Sequence, residues 1–214
     1  MNNYSLEAVS LNKAFGRRLI FEDINFKYEE NGIYGISGHN GSGKSTLVKI
    51  IAGIIGPSGG ALKHISEGKE IISEELHNFI GFVSPYLVMY DEFSAWENLA
   101  FFSKIRGVPF NSEKINYLLE KFLLFNRKDD FVKTYSSGMK QRLKFIFALM
   151  HSPRLIILDE PTSNLDNEGK EKVYQLLHKE SESAIVIIAS NEDSDLELCS
   201  SRIQLENYKQ KSIL

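Results

Sequence analysis

The spacing of apolar residues in this chain switches between two periods, and the switches divide it into strands and helices. Leu6 to Ser10 and Leu19 to Tyr28 read as strands joined by a turn at Gly16-Arg17-Arg18. In the second, Ile20, Ile24 and Phe26 share a parity, with acidic and polar residues between them. That alternation predicts an antiparallel ribbon with one wet face. Asn31-Gly32 turns the chain into a short apolar run, Gly32 to Ile36, which predicts a buried strand. Thr46 to Gly53 reads as a helix with a glycine stop, and Gly56-Pro57-Ser58-Gly59-Gly60 punctuates its end. Residues 61–78 carry the weakest pattern; a turn at Glu67-Gly68 between two short strands is the expectation there.

Ile80 to Ser84 predicts another buried strand. Ser94-Ala95-Trp96-Glu97 is a capping box, so a helix starts there and stops near Gly107, with Pro109 just beyond. A second helix, from about Glu113 to Leu124, puts Ile115, Leu118, Leu119, Phe122 and Leu123 on one face. Residues 86–135 are therefore a mostly helical insert, and a third helix from Gly138 to Met150 extends it into a helical subdomain of about residues 86–150. Leu155-Ile156-Ile157-Leu158 is apolar throughout, as in the middle of a parallel sheet. A helix from about Asn167 to Lys179 precedes a strand from Ala184 to Ser190. This alternation predicts an α/β fold: a mainly parallel sheet, an N-terminal antiparallel β subdomain and the helical insert, in one domain spanning residues 1–214. Ligands of such sheets bind at the carboxyl ends of the strands.

Candidate chemistry lies at those ends. Gly38-His39-Asn40-Gly41-Ser42-Gly43-Lys44-Ser45, followed by Thr46, fits the phosphate-binding loop pattern G-x-x-x-x-G-K-[ST] at every fixed position. It also has the strand before it and the helix after it that the chemistry requires. Glycines let the backbone present N–H groups to phosphate oxygens, and the helix N-terminus adds partial positive charge. Lys44 can reach the β- and γ-phosphates, and the Ser45 hydroxyl can bind Mg²⁺. Asp159, at the end of the apolar strand, can hold the same ion. Glu160, one residue on, can polarise a water in line with the γ-phosphate. Together these read as a P-loop NTPase core holding a nucleoside triphosphate with Mg²⁺.

Composition narrows the setting. With 43% hydrophobic and 25% charged residues in 214, a sizeable core can be buried. A net charge of −3 gives no electrostatic case for nucleic acid as a partner. Cys199 is the one cysteine, which excludes an intrachain disulfide and points to a reducing compartment. Met1 to Glu7 lacks the basic and apolar regions of a signal peptide. No apolar run approaches the ~20 residues that span a bilayer, so at a membrane another chain would do the spanning.

Tyr135-Ser136-Ser137-Gly138-Met139-Lys140-Gln141-Arg142 lies closely upstream of Leu155 to Asp159, and Glu160-Pro161-Thr162-Ser163-Asn164-Leu165-Asp166 follows. In this order and spacing the chain resembles the ATP-binding cassette (ABC) ATPases, from about Leu6 to Glu206. The resemblance implies that Ser136 and Gly138 belong to a signature loop that closes over the γ-phosphate held by the other subunit of a dimer. Ser137 and Met139 replace the commonest glycine and glutamine there, as in exporter-type cassettes. The same serine is also what an ordinary helix N-cap requires. Asp166 matches the acidic end of the loop that crosses the dimer interface. Lys13-Ala14-Phe15-Gly16 is similar to the segment whose aromatic stacks on adenine. Phe15 has the flat face this needs, although a core phenylalanine is the plainer alternative.

Two positions depart from the family pattern. Pro85 stands where a glutamine usually reaches Mg²⁺ and the attacking water, leaving neighbouring Ser84 as a partial substitute. Asn191 stands where a histidine usually contacts the γ-phosphate; its amide can donate a hydrogen bond but carries no charge. The resemblance thus implies nucleotide binding with slowed hydrolysis. It implies the nucleotide-binding subunit of a transporter, exporter-like, peripheral on the cytoplasmic face of the membrane. Its partners would be an integral-membrane permease and a second cassette, identical or paired, around two ATP. Tyr86, Leu87, Met89, Tyr90, Phe93 and Trp96 fall where the family receives a helix of the membrane partner, though they could equally pack the insert. A low-activity regulatory subunit and a non-transport cassette remain the alternatives.

Overall fold

The computed structural model describes residues 4–209. Met1 to Asn3, where the leader expectation starts, and residues 210–214 of the expected domain lie outside the described residues. Among the described residues there are two sheets. The antiparallel one has the order β2-β1-β4-β5, from β1 (Tyr4–Phe15), β2 (Arg18–Tyr28), β4 (Gly59–Ser66) and β5 (Lys69–Glu70). The parallel one has the order β6-β7-β8-β3-β9, from β3 (Gly32–Ser37), β6 (Ile80–Val83), β7 (Leu155–Asp159), β8 (Ile185–Ser190) and β9 (Ser201–Gln204). The helices are α1 (Lys44–Ile51), α2 (Leu76–Phe79), α3 (Ala95–Arg106), α4 (Ser112–Lys121), α5 (Ser137–Leu149), α6 (Asn167–Glu180) and α7 (Asp193–Leu196).

The β1–β2 ribbon is longer than its alternation predicts, because its register breaks. Pairing shifts between Ala8 and Leu11, and again around Lys13. Ser10 and Asp23 take positive φ at 46° and 57° beside these shifts. The extra residues turn both Phe21 and Ile24 inward, each fully buried, so Phe21 breaks the simple parity of its strand. The turn at Glu67-Gly68 lies between β4 and β5 as expected, both residues having positive φ. Pairing of β4 with β1 is long-range and leaves no local signal.

The parallel sheet is buried on both faces. Ile156, Leu158, Val186 and Ile188 pack with α3, α4 and α5, whereas Leu155, Ile157, Ile185 and Ile187 pack with α1 and the antiparallel sheet. This is the expected outcome for strands without polar alternation. In the insert, α3 begins at the anticipated capping box: Ser94 Oγ accepts from Glu97 N at 3.1 Å, and Glu97 Oε2 accepts from Ser94 N at 2.8 Å. Helix α4 ends at Lys121, earlier than its pattern predicts. Ile115, Leu118, Leu119 and Phe122 are buried, but Leu123 turns to φ 58° and leaves the apolar face, half exposed. The short elements α2, α7 and β9 were not legible in the chain.

Candidate functional site

The glycine loop connects the carboxyl end of β3, which lies between β8 and the edge strand β9, to α1. Gly43 enters α1 at φ 115°, and a Cβ there would stand 2.6 Å from Ile20 Cγ2. Only glycine meets both demands. At Gly38 a Cβ would meet Ser42 Oγ at 2.5 Å, so this end of the loop is folded tightly on itself. Ser42 N donates to His39 O at 3.0 Å across the turn. His39, Asn40 and Gly41 form the exposed crest of the loop, and Thr46 continues α1 beneath it.

Lys44 is 5% exposed. Its Nζ donates to Gly38 O at 2.8 Å and stands 3.2 Å from Glu160 Oε1. Ser45 Oγ donates to Asp159 Oδ1 at 3.1 Å. Asp159 has no accessible surface, and its Oδ2 is buried without a hydrogen-bond partner. Burial pushes its carboxyl above the usual range, against the lowering effect of the Ser45 hydroxyl. An orphaned carboxylate oxygen beside a serine hydroxyl is a donor set that suits a hard cation. Among the described residues no group of three or more His, Cys, Asp and Glu side chains could hold a metal ion. A cation held by Ser45 and Asp159 would complete its shell with phosphate oxygens and water, the habit of Mg²⁺.

Glu160 has φ 49°, a left-handed conformation rarely taken by a glutamate. The turn is anchored by Glu160 N donating to Ala189 O at 2.8 Å. Strain of this kind is tolerated where the surroundings over-determine it. Here it leaves Oε1 beside Lys44 and Oε2 3.4 Å from Ser190 Oγ. Asn191, at the end of β8, reaches the loop from the side, its Nδ2 donating to Asn40 Oδ1 at 3.4 Å. A cleft of ≈ 400 Å³ opens beside the loop, bounded by Phe15, Lys44, Ser45, Pro85, Tyr86 and Glu160; Asp159 and Asn191 do not line it. Phe15 is 54% exposed, which removes the plainer core alternative. Another groove, of ≈ 340 Å³ between α4 and α6, contains none of these groups.

Ser84 does not take over the role left open by Pro85. It is buried, and its Oγ accepts from Tyr86 N at 3.3 Å, while Pro85 and Tyr86 face the cleft. Ser136 and Asp166 both act as helix N-caps: Ser136 Oγ accepts from Met139 N at 3.2 Å, and Asp166 Oδ1 from Gly169 N at 2.9 Å. Both residues are exposed. Gly138 lies against the other loop, where a Cβ would stand 3.2 Å from Asn164 O. Among the described residues no hydrogen bond or ion pair joins Ser136, Gly138 or Asp166 to the phosphate loop. These three residues form a second constellation on the same chain.

A family model for ABC transporters matches residues 21–163. The chain belongs to the ABC transporter family. It is a nucleotide-binding subunit of that family, and ABC membership implies ATP binding and hydrolysis. It is 34% identical over 193 residues to the lantibiotic transport ATP-binding protein SrtF of Streptococcus pyogenes, covering 90% of this chain and 82% of that one. It is 31% identical over 194 residues to the bacitracin transport ATP-binding protein BcrA of Bacillus licheniformis, covering 90% of this chain and 63% of that one. The fold superposes on the solved structure of a dimeric bacterial ABC transporter cassette with a TM-score of 0.81 at 22% identity, over 94% of each chain. No helix among the described residues is long and apolar enough to cross a membrane.

Two neighbours of the site carried no motif. Glu206 Oε1 accepts from His39 N at 2.7 Å, and this bond holds the Glu206 carboxyl below its usual range. Asp195, from α7, sits behind Ser190. Glutamate and aspartate in a polar C-terminal stretch look like surface charges; only the fold brings Glu206 to the loop and Asp195 behind Ser190.

Proposed function

We propose that this ABC subunit is a single cassette, residues 1–214 with a helical subdomain at about 86–150, that hydrolyses MgATP to drive a separate membrane subunit. The observation that carries this reading is the convergence of Lys44, Ser45, Asp159 and Glu160 under one cleft. Backbone N–H groups from Gly38 to Thr46 cradle the phosphates, and Phe15 offers its face to the adenine. Lys44 Nζ exchanges its Gly38 and Glu160 contacts for β- and γ-phosphate oxygens. Ser45 and Asp159 would hold Mg²⁺, which would supply charge neutralisation for phosphoryl transfer. Glu160 polarises the attacking water, and Asn191 donates one neutral hydrogen bond toward the γ-phosphate. Pro85 supplies no donor or acceptor, and with Asn191 it makes hydrolysis slow.

Ser136, Gly138 and Asp166 serve the nucleotide of a second cassette. The exposure of Ser136 and Asp166, and the lack of any bond from the three to the phosphate loop of their own chain among the described residues, support pairing around two ATP. The names of the lantibiotic and bacitracin relatives, both transport ATP-binding proteins, support the transporter role; export is the direction proposed from the signature residues Ser137 and Met139. An apolar patch beside the cleft suits docking of a permease helix from the cytoplasmic face: Tyr86, Val88, Tyr90 and Phe93 are exposed, with Tyr90 and Phe93 ring centroids 5.4 Å apart. Met89 instead packs into the core, and Leu87 and Trp96 pack partly against it. Lys144 links α5 to this patch by donating to Ser84 O at 3.1 Å and Pro85 O at 3.0 Å. Sedimentation of Glu160→Gln tests the pairing, since this variant keeps the shape and loses the carboxylate. A dimer with MgATP and a monomer without it is expected. A monomer at saturating MgATP, with binding intact, refutes the paired arrangement.

A further inference from the structure

Asp195 is a buried carboxylate that the reading above does not use. It is 1% exposed. Three hydroxyls surround it: Ser190 Oγ donates to Oδ2 at 2.7 Å, Thr162 Oγ1 to Oδ2 at 3.2 Å, and Tyr174 OH to Oδ1 at 2.8 Å. An ionised carboxylate only accepts hydrogen bonds, and each hydroxyl has one proton to give.

Ser190 is the member that matters for chemistry. Its Oγ is 2.7 Å from Asp195 Oδ2 and 3.4 Å from Glu160 Oε2. It also accepts from Glu192 N at 3.1 Å. One proton cannot serve both carboxylates. The shorter, better-placed bond to Asp195 claims it, so Ser190 turns a lone pair toward Glu160. A hydrogen bond donated instead to Glu160 Oε2 would stabilise that carboxylate and weaken its pull on water.

We infer that Asp195 is a positioning residue for hydrolysis: its buried carboxylate accepts the hydrogen bond of the Ser190 hydroxyl and so keeps Glu160 Oε2 free to act on water. This rests on Glu160 being the water-polarising group. Asp195 is buried behind Ser190 and acts only through that hydroxyl. The neighbouring cation, Lys170, is engaged elsewhere, donating to Glu192 Oε2 at 2.6 Å.

The inference makes an unusual demand on mutants. Asp195→Asn is isosteric, but its amide nitrogen can donate to Ser190. The Ser190 proton then turns toward Glu160. Single-turnover hydrolysis with the full chain is expected to fall about tenfold, part of the 10²–10⁴ a general base contributes, while MgATP affinity stays within about twofold. Removing the misdirected hydroxyl, in Asp195→Asn/Ser190→Ala, is expected to recover most of the rate. A merely structural role would make the double variant worse than the single. An unchanged rate in Asp195→Asn overturns the inference, and so does a double variant that stays slow. Should Asp195→Asn fail to fold, infrared difference spectra of the Glu160 carboxylate in wild type and Ser190→Ala decide the matter. An unshifted band is expected, and a band shifted by loss of a Ser190 donor overturns the inference. Glu160→Gln runs alongside. Wild-type hydrolysis in that variant rejects the role of Glu160 itself; a dead Glu160→Gln with an unaffected Asp195→Asn rejects only Asp195.

Discussion

Lys44→Ala is the most direct perturbation of nucleotide binding. The Lys44 side chain is buried, with its ammonium 2.8 Å from Gly38 O and 3.2 Å from Glu160 Oε1. A charge-assisted hydrogen bond contributes about 1.5–3 kcal/mol net. Lys44 gives up two good contacts to reach a phosphate, which pulls its contribution toward the lower part of that range. Its removal also leaves the Glu160 carboxylate uncompensated, facing an anionic ligand, which pulls the other way. A loss of about 2 kcal/mol is the balance, or roughly 30-fold in MgATP affinity. Titration calorimetry on wild type and Lys44→Ala reads this directly, with circular dichroism confirming that the truncated variant folds. A folded Lys44→Ala that binds MgATP within twofold of wild type would show that the phosphates sit elsewhere.

Two other outcomes can be checked independently. Asn191→Ala removes one neutral hydrogen bond, worth about 0.5–1.5 kcal/mol, so single-turnover hydrolysis should slow by up to roughly tenfold; an unchanged rate would make Asn191 an ordinary strand-end residue. Burial lowers both His64 and His151 to about 4, so the folded chain favours their neutral forms. The unfolded chain then binds more protons between about pH 4 and 6.5, and stability present above that window is lost as pH falls through it. Urea midpoints should drop across this range, and His64→Gln should flatten the slope; a midpoint constant from pH 7 to 4.5 would refute neutral burial.

What could be read from the chain followed from how local each signal is. The phosphate loop, the apolar strand before Asp159 and the capping box at Ser94 are each specified by adjacent residues, and the structure has all three. Reading stopped where the cause is tertiary. Strand β1 runs on past Ser10 because a bulge absorbs the polar residues there, and β4 joins it from 50 residues away. Leu123 matches helical spacing but is thrown outward when α4 ends early. At the site, Glu160 was legible as a carboxylate at a strand end, whereas its positive φ was not. Ser84 looked available as a replacement for glutamine, yet it is buried away from the cleft lining. Asp195 sits in Glu192-Asp193-Ser194-Asp195, which reads as a solvated acidic turn; only the fold shows that its last residue is buried.

Hydrolysis of MgATP in the cleft over Lys44 and Glu160 is the central claim, and single-turnover release of phosphate from γ-labelled ATP tests it most directly. The full chain is used in excess over nucleotide, at a concentration where it pairs. Wild type is expected to release phosphate slowly but completely in the presence of Mg²⁺. Glu160→Gln is expected to bind MgATP normally and release phosphate at least about 100-fold more slowly, the scale of a lost general base. Release by Glu160→Gln at the wild-type rate would contradict the account.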